Sequence, residues 1–257
     1  MKKYLILLLC MVCILPAFAK QVVKVGTNAA YQPAEYYDKD NNLVGFDIDL
    51  MSAIAKEADL DIEWVDMQFD ALINSLKLGK IDAIISSMIA SPVRKKQIDF
   101  TDGYTMDEND DKDSIFVVLT SSNINSFNEI KNKKIAIESG TFQHQWCEEN
   151  LKDAQLIPLT YTPDLYTSLE QKKVDAIMIG GTSGLGLYMR ERGIKKDKYK
   201  IIEDKKILNP SVAIGVRKGD TDLLNKLNKA LAKIKKNGVY KKIQTKWQQE
   251  VKKGKEE

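Results

Sequence analysis

Apolar residues recur along the chain in two alternating patterns. Short β-branched runs at Val22–Gly26, Ile62–Val65 and Ile81–Ile85 are typical of buried strands. Between them, residues 45–58 and 69–78 carry apolar side chains at helical spacing, so each segment predicts an amphipathic helix. The resulting order of strand, helix, strand, helix and strand indicates a parallel α/β unit.

The second half of the chain repeats this alternation. Strands are predicted at Lys134–Ile137, Leu156–Leu159 and Val174–Ile179, and helices at Phe142–Leu151 and Pro163–Gln171. A further strand is predicted at 211–217, and two amphipathic helices at 222–236 and 239–250 end the pattern.

An internal echo supports two similar halves. Leu76–Ile85 (LKLGKIDAII) resembles the later segment Leu169–Met178 (LEQKKVDAIM). In this register Ser87 matches Gly180, and both residues follow a predicted strand. Two α/β lobes whose strand ends face each other would enclose a cleft, and the carboxyl ends of strands are where open α/β sheets bind ligands.

The stretch Ile81–Phe100 has the features of a site for a small anion. Its strand runs into Ser86–Ser87, and Ser91 followed by proline is a typical helix start. Arg94 lies in that first turn, where free backbone N–H groups and the helix dipole favour negative charge. Because a guanidinium matches a carboxylate in shape and charge, we expect Arg94 to bind one. The alternative is an exposed arginine on an ordinary helix.

Residues 1–19 are predicted to be a secretory signal peptide. Lys2 and Lys3 precede the apolar run Tyr4–Leu15, and Ala17–Ala19 is a small-x-small cleavage site. The run is too short for a comfortable membrane span, so we expect export to the periplasm. Leu9 before Cys10 is a poor fit to a lipid-attachment site, and a lipid-anchored form is kept as an alternative.

Composition narrows the function further. The chain is 44% hydrophobic and 29% charged, as globular domains are. Loss of Lys2 and Lys3 with the leader lowers the formal net charge from +3 to +1, which argues against a nucleic-acid binder. After cleavage Cys147 and His144 are the single residues of their types, so we expect no internal disulfide, no histidine-based metal site and no Ser-His-Asp triad. The acidic segment 104–113 is predicted to be a solvated insertion, because it lacks the glycine and final glutamate of a calcium loop.

Several ordered motifs carry a resemblance to a known family. They are Gly26–Tyr31 (GTNAAY), Gly45–Leu50 (GFDIDL), Phe69–Ile73 (FDALI), Gly79–Ala83 (GKIDA), Arg94–Asp102 (RKKQIDFTD) and Val216–Asp220 (VRKGD). On these motifs the chain resembles the periplasmic polar amino-acid-binding proteins, which are solute-binding components of ABC uptake transporters. It is similar to the histidine-, glutamine- and lysine/arginine/ornithine-binding proteins over nearly everything after the leader.

The resemblance implies the two-lobed type II periplasmic-binding-protein fold, an α/β fold with a mainly parallel sheet flanked by helices in each lobe. Lobe 1 would comprise residues 20–113 and 211–257, lobe 2 residues 120–204, and the hinge segments residues 114–119 and 205–210. A ligand between the lobes would favour the closed form, which the membrane permease of the transporter then recognises.

The resemblance also implies a ligand site in the cleft. Arg94 would hold the α-carboxylate of the ligand, with Ser87 and Thr141 as further hydrogen-bond donors. Tyr31 and Phe69 would wall the side-chain pocket and could stack on a flat or cationic group.

Three polar residues would recognise the rest of the ligand. Asn28 and Glu138 occupy positions where relatives place groups that read the ligand's side chain, and Gln143 lies near the same helix start as Thr141. The alternative for Glu138 is an exposed acid at the end of a strand.

Four positions depart from the family's usual pattern. Gly180 stands where relatives have an aspartate that pairs with the α-ammonium, and Ile89 stands where a serine or threonine is usual. Ala34 replaces a common pocket phenylalanine, and Phe142 replaces a common threonine. A buried ammonium without its counter-charge is strongly unfavourable. Either Glu138 has taken over the ammonium, or the ligand is not an ordinary α-amino acid.

These observations predict a monomeric, non-enzymatic solute-binding protein that captures a small carboxylate. The ligand would be an amino acid with a polar or cationic side chain, or a derivative that lacks the usual ammonium contact. No cofactor, metal or nucleic acid is expected. One alternative is an enzyme on the same scaffold, since some relatives are dehydratases, with Glu138 as its candidate general acid. Another is an exported sensor or adhesin that has lost its ligand.

Overall fold

Thirteen strands and nine α-helices make up residues 20–107 and 113–256, the part of the chain that the computed structural model describes. The strands are β1 (Gln21–Thr27), β2 (Ala30–Tyr31), β3 (Glu35–Tyr37), β4 (Leu43–Val44), β5 (Leu60–Asp66), β6 (Ala83–Ile84), β7 (Ile98–Phe100), β8 (Asp113–Leu119), β9 (Lys134–Glu138), β10 (Gln155–Leu159), β11 (Ala176–Gly180), β12 (Tyr199–Leu208) and β13 (Gly215–Arg217). The helices are α1 (Phe46–Ala58), α2 (Leu72–Lys77), α3 (Pro92–Lys95), α4 (Phe127–Ile130), α5 (Phe142–Asn150), α6 (Thr162–Glu170), α7 (Ser183–Glu191), α8 (Thr221–Lys236) and α9 (Val239–Glu256).

Two five-stranded sheets form the centres of two lobes. The first has the order β5-β1-β6-β13-β7, and the second has the order β10-β9-β11-β8-β12. In the first sheet β1 pairs in parallel with β5 and β6, whereas β13 is antiparallel to β6 and β7. The second sheet repeats this arrangement, with β9 parallel to its neighbours and β8 antiparallel to β11 and β12. A small antiparallel sheet, β2-β3-β4, belongs to the first lobe.

The predicted two-lobed α/β fold is confirmed, and each sheet is mainly parallel as expected. Four of the five strands in each sheet run in the same direction, and one strand is reversed, β13 in the first sheet and β8 in the second. The reason is that β13 and β8 each follow a passage of the chain between lobes and enter their sheet from the opposite end.

The internal echo is confirmed at the level of strand pairing. Ala83 of β6, the central strand of the first sheet, pairs with Val25 of β1. At the equivalent place in the second sheet, Ala176 of the central strand β11 pairs with Ile135 of β9. The two similar segments therefore occupy the same position in the two lobes.

Helices cover the sheets because both partners carry apolar faces. Leu223, Leu227 and Leu231 of α8 recur at helical spacing, and all are buried against the first sheet together with α1 and α9. In the second sheet Phe116 lies in one core cluster and Val117 in another, so successive residues of β8 point into cores on opposite faces. The second sheet is thus buried on both sides.

Several predicted bounds change in the structure. The strand expected at 81–85 is the short β6, and the helix expected at 69–78 begins as a 3₁₀ turn at Phe69–Ala71 before α2. Strands β2–β4, helix α7 and most of β12 were not predicted. The start of α3 is as expected, since the Ser91 hydroxyl accepts a hydrogen bond from the Arg94 backbone N–H (3.4 Å).

The proposed hinge segments lie in paired strands. Ser114 at the start of β8 is in register with Ile207 near the end of β12, so the two passages between lobes run side by side. The domain limits given above remain a prediction.

Two predicted segments lie wholly or partly outside the described residues. The leader at 1–19 is one, and residues 108–112 of the acidic segment are the other. Within the described ranges, none of the helices combines the length and apolar character that crossing a membrane requires.

The residue that precedes α1, Gly45, has to be a glycine because of its backbone conformation and its close contact with Ala34. Its φ is +143°, and a Cβ added there would lie 1.9 Å from the Ala34 carbonyl oxygen. We expect Gly45→Ala to destabilise the protein by more than about 4 kcal/mol, because the obstructing atoms are backbone. Gly79→Ala is the matched control: its φ is +70° but its Cβ would meet nothing within 4 Å, so it should be unfavourable by about 1–2 kcal/mol. Urea unfolding measures both, and equal midpoints for the two variants would contradict this expectation.

Candidate functional site

A cavity of about 110 Å³ lies between the two lobes. Its wall includes every residue that the sequence predicted for the site, and both lobes contribute to it. The residues are Asn28, Tyr31, Phe69, Ser87, Ile89, Arg94, Glu138, Thr141, Phe142, Gln143 and Gly180. The structure therefore brings the predicted set together, and their contacts with a ligand remain a prediction.

Arg94 reaches from the first lobe to the second. It is only 7% exposed, and its Nη1 donates to the Ile89 carbonyl (2.8 Å). Its Nη2 donates to the carbonyl of Gly140 in the second lobe (2.8 Å). A guanidinium has five N–H donors, so donors are left over for an anion in the cavity. Ile89, one of the four departures, takes part through its backbone oxygen.

The charge on Arg94 is retained despite its burial. Burial lowers the pKa of Arg94 to about 10, so the guanidinium stays protonated at neutral pH. Its Cζ lies 5.2 Å from the centre of the Phe69 ring, which offers a favourable cation–π contact. The cavity thus contains a buried cation whose named partners are neutral groups.

Ser87 is held in an unusual backbone conformation. Its φ is +46°, which non-glycine residues rarely adopt. Its N–H donates to the Asp47 carboxylate (2.7 Å), which also accepts from the Tyr104 hydroxyl (2.7 Å). These bonds fix the turn after β6 and direct the Ser87 side chain, which lines the cavity, toward Glu35.

Glu35 is a cavity residue that the sequence analysis missed. It is 1% exposed, and its Oε1 accepts from the Ser86 hydroxyl (3.0 Å) while its Oε2 accepts more weakly from the Ser87 hydroxyl (3.4 Å). Burial, and next the charge of Asp47, raise the pKa of Glu35 well above its usual range. The one signal in the sequence was its place directly after Ala34, a departure from the family's pattern.

Glu138 is the corresponding acid of the second lobe. It is 8% exposed, so the alternative of an exposed strand-end acid is wrong. Its Oε2 accepts from the Thr162 hydroxyl (2.7 Å), whereas Oε1 is buried without a hydrogen-bond partner among the described residues. Burial raises the pKa of Glu138 to about 7, with a smaller contribution of the same sign from Asp70.

The start of α5 places three predicted residues beside Glu138. Thr141 caps the helix as expected: its hydroxyl accepts from the His144 N–H (3.2 Å) and donates to the Glu138 carbonyl (2.7 Å). Phe142 and Gln143 follow in the first turn, and Gln143 Nε2 donates to the Ser114 hydroxyl (2.9 Å). Gln143 therefore connects the cavity to the first residues of β8.

Tyr31 and Asn28 have partners within the protein. The Tyr31 hydroxyl donates to the Gly180 carbonyl of the other lobe (2.6 Å). The Asn28 side-chain amide donates to the Met67 carbonyl (3.0 Å), which holds it against the first lobe. Tyr31 thus helps to hold the lobes together, and Asn28 fixes the loop after β1.

The electrostatics of the cavity suit a ligand with charges of both signs. Three buried carboxyl groups, those of Glu35, Asp47 and Glu138, share its wall with the single guanidinium of Arg94. Carboxyl groups buried this deeply are stabilised in the ionised form by a nearby cation. A compound with one carboxylate and one or more cationic groups therefore complements the site.

The fold and the site together define a class, namely two-lobed α/β binding proteins whose ligand cavity lies between the lobes. A profile of the bacterial extracellular solute-binding proteins, family 3, matches residues 23–250. The chain belongs to this family, which confirms the resemblance found in its motifs.

Relatives of known name agree with this assignment. ABC transporter arginine-binding protein 1 of Escherichia coli K12 is 30% identical over 234 residues, which cover 90% of this chain and 92% of the relative. Among solved structures, an ancestral arginine-binding protein bound to arginine is 32% identical with a TM-score of 0.80, covering 89% of this chain and 98% of that one. The ancestral amino acid-binding protein AncCDT-1, a precursor of cyclohexadienyl dehydratase, is 30% identical with a TM-score of 0.76, covering 88% and 95%.

Proposed function

We propose that this protein captures an amino acid with a cationic side chain and delivers it to the membrane permease of an ABC transporter. The observation that carries the proposal is the shared cavity of Arg94 and three buried acids. Arg94 would bind the α-carboxylate, and Glu138, whose Oε1 is buried without a hydrogen-bond partner among the described residues, would bind the cationic side chain. The names of the arginine-binding relatives support this choice of ligand class.

The two lobes would close over the ligand about the hinge segments 114–119 and 205–210. Bonds between lobes, from Arg94 to Gly140 and from Tyr31 to Gly180, support a closed form in which both walls of the site are assembled. The protein would act as a monomer in the periplasm after removal of its leader. The permease would then recognise the surface that both lobes present together.

The ligand class can be tested directly on the purified protein. Native mass spectrometry identifies any compound that is retained, and calorimetry compares arginine, lysine, histidine, glutamine and glutamate. We expect the cationic amino acids to bind at least about 100-fold more tightly than glutamate, because a second carboxylate would face buried acids. Preferential binding of glutamate would overturn the proposal.

An enzymatic role is the second candidate, and two observations favour it. Glu138 has a pKa of about 7, which suits a general acid, and AncCDT-1 is a precursor of a dehydratase. We propose that the protein is not an enzyme, because the arginine-binding relatives named above are binding proteins. Recovery of the bound compound unchanged after prolonged incubation supports capture, and recovery of a dehydrated product would support catalysis.

Gly180→Asp tests the missing family aspartate. A Cβ at Gly180 would lie 3.1 Å from Gln143 Nε2 and 3.1 Å from the Tyr31 hydroxyl, so a new carboxylate would find donors there in a narrow space. We expect Gly180→Asp to bind glutamine roughly tenfold more tightly than the uncharged control Gly180→Asn, because a charge-assisted hydrogen bond to the α-ammonium is gained. Equal affinities by calorimetry would contradict an ammonium beside position 180.

A further inference from the structure

The cavity offers no carboxylate at the position where the family's usual ammonium partner would stand. Gly180 contributes only its backbone there, and its carbonyl already accepts the Tyr31 hydroxyl. The ammonium of an α-amino acid is one carbon away from its carboxylate, so its partner must lie close to the carboxylate's site at Arg94. An acid on the Arg94 side of the cavity is therefore the natural substitute.

Glu35 is placed for this role by its contacts. It belongs to β3 of the first lobe, and Ser86 and Ser87 bond to its two carboxylate oxygens. These serines follow β6 and lead within a few residues to Ile89, whose carbonyl holds Arg94. One segment, residues 86–89, therefore contacts both Glu35 and Arg94, and both side chains line the same cavity.

The neighbouring acid, Asp47, is committed to the fold. Its Oδ2 accepts two short bonds, from the Ser87 N–H and the Tyr104 hydroxyl, and the backbone N–H is fixed in direction by the turn. The donors to Glu35 are serine hydroxyls, which can rotate to accept or donate elsewhere. The bond from Ser87 is also long (3.4 Å), so an ammonium can replace it at small loss. The bonds that Glu35 accepts can therefore be exchanged for a bond from an ammonium without breaking the turn that Asp47 holds.

We propose that Glu35 of the first lobe binds the α-ammonium group of the ligand in place of the aspartate that Gly180 lacks. This inference rests on the proposed capture of an amino acid. It assigns both backbone charges of the ligand, through Arg94 and Glu35, to the first lobe. The second lobe then reads the side chain through Glu138, so the ligand docks on the first lobe before the second closes.

The raised pKa of Glu35 fits this assignment. A carboxyl group buried beside Asp47 resists ionisation, and an incoming ammonium supplies the positive charge that favours its ionised form. The ligand would thereby relieve an unfavourable arrangement in the cavity wall.

Calorimetric titrations with three compounds distinguish the contribution of the α-ammonium to binding from that of the side-chain charge. L-Arginine carries all three charges, 5-guanidinopentanoate lacks only the α-ammonium, and L-citrulline lacks only the side-chain charge. We expect the wild type to prefer arginine to 5-guanidinopentanoate by at least about 100-fold, because a buried charge would otherwise lose its partner. In Glu35→Gln this preference should fall below about tenfold, whereas the preference for arginine over citrulline should persist.

Glu138→Gln is the matched control, and it should lose the preference for arginine over citrulline instead. That variant should keep its discrimination between arginine and 5-guanidinopentanoate and lose its discrimination against citrulline. If Glu35→Gln does not fold, Glu35→Asp, with its shorter side chain, should show a reduced ammonium preference in the same titrations. A wild-type ratio of arginine to 5-guanidinopentanoate in the folded Glu35 variant would overturn the inference. Absence of binding of all three compounds to the wild type would instead overturn the proposed function, and this inference with it.

Discussion

We expect Arg94→Ala to lose at least about 100-fold in affinity for the ligand, the largest effect of any single substitution in the cavity. Removing one member of a buried charge pair leaves the other charge desolvated without a partner, which is unfavourable by about 3–5 kcal/mol. Arg94 also bonds to Gly140 across the lobes, so its loss weakens closure as well as the carboxylate contact. Calorimetry with the cationic amino acid that binds the wild type most tightly measures the effect.

Two variants distinguish the guanidinium from charge alone and from general damage. Arg94→Lys keeps the cation but loses the two-pronged geometry, so it should recover only part of the affinity. Lys95→Ala removes an exposed cation from the same short helix and should bind like the wild type. Micromolar binding by Arg94→Ala would remove Arg94 from the site and with it the proposed orientation of the ligand.

The position of Arg94 was predictable because its signals are local in sequence. A strand, two serines, a helix N-cap and an arginine in the first turn follow one another within a few residues, and Ser91 caps α3 as expected. The same is true of Thr141 at the start of α5. Local patterns of this kind specify both an element's end and the side chains exposed there.

Glu35 could not be found in this way because its environment is assembled from distant parts of the chain. Its serine partners lie 51 and 52 residues further on, and Asp47 belongs to α1. The strands β2 and β4 that frame it have two residues each, too few to show an alternating pattern. Its burial therefore follows from packing and not from sequence periodicity.

Asn28 shows the opposite limit of inference from sequence. It was expected to read the ligand's side chain because of its place after the first strand. The structure engages its amide with the Met67 carbonyl and its backbone N–H with the Ser86 hydroxyl. These bonds explain why an amide at this position stabilises the loop whether or not it also meets the ligand.

We expect Glu138→Gln to bind cationic amino acids at least tenfold (about 1.4 kcal/mol) more weakly while binding neutral ones as the wild type does. The ionised carboxylate is needed only by a cationic group, and glutamine has nearly the same shape. The Thr162 hydroxyl can still donate to the new amide oxygen, so the cavity wall should stay in place. The ratio of arginine to citrulline affinities, measured by calorimetry, isolates the contribution of the Glu138 carboxylate to binding of the cationic side chain.

The same ratio should depend on pH in the wild type. The pKa of Glu138 is about 7, so below pH 7 a proton competes with the cationic side chain and the preference for arginine falls by up to about tenfold per pH unit. Above pH 7 the carboxylate is ionised and the preference reaches its plateau. In Glu138→Gln the ratio should be flat between pH 6 and about pH 8, since the titrating group is gone.

The substitution should also stabilise the ligand-free protein at alkaline pH. The pKa of Glu138 is raised from 4.5 to about 7 on folding, so its protonated form contributes stability that is fully present below pH 4.5 and is lost as pH rises through 7. At pH 8 the free energy of unfolding of the wild type has therefore fallen by roughly 3 kcal/mol, and Glu138→Gln should not show this loss. Glu149→Gln, which removes an exposed acid from the nearby helix α5, should change stability by less than about 0.5 kcal/mol. The expectation is contradicted if Glu138→Gln is no more stable than the wild type at pH 8 and keeps its preference for arginine over citrulline. In that case the Glu138 carboxyl group neither resists burial nor contacts a cation. The pocket for the ligand's side chain would then lie elsewhere in the cavity.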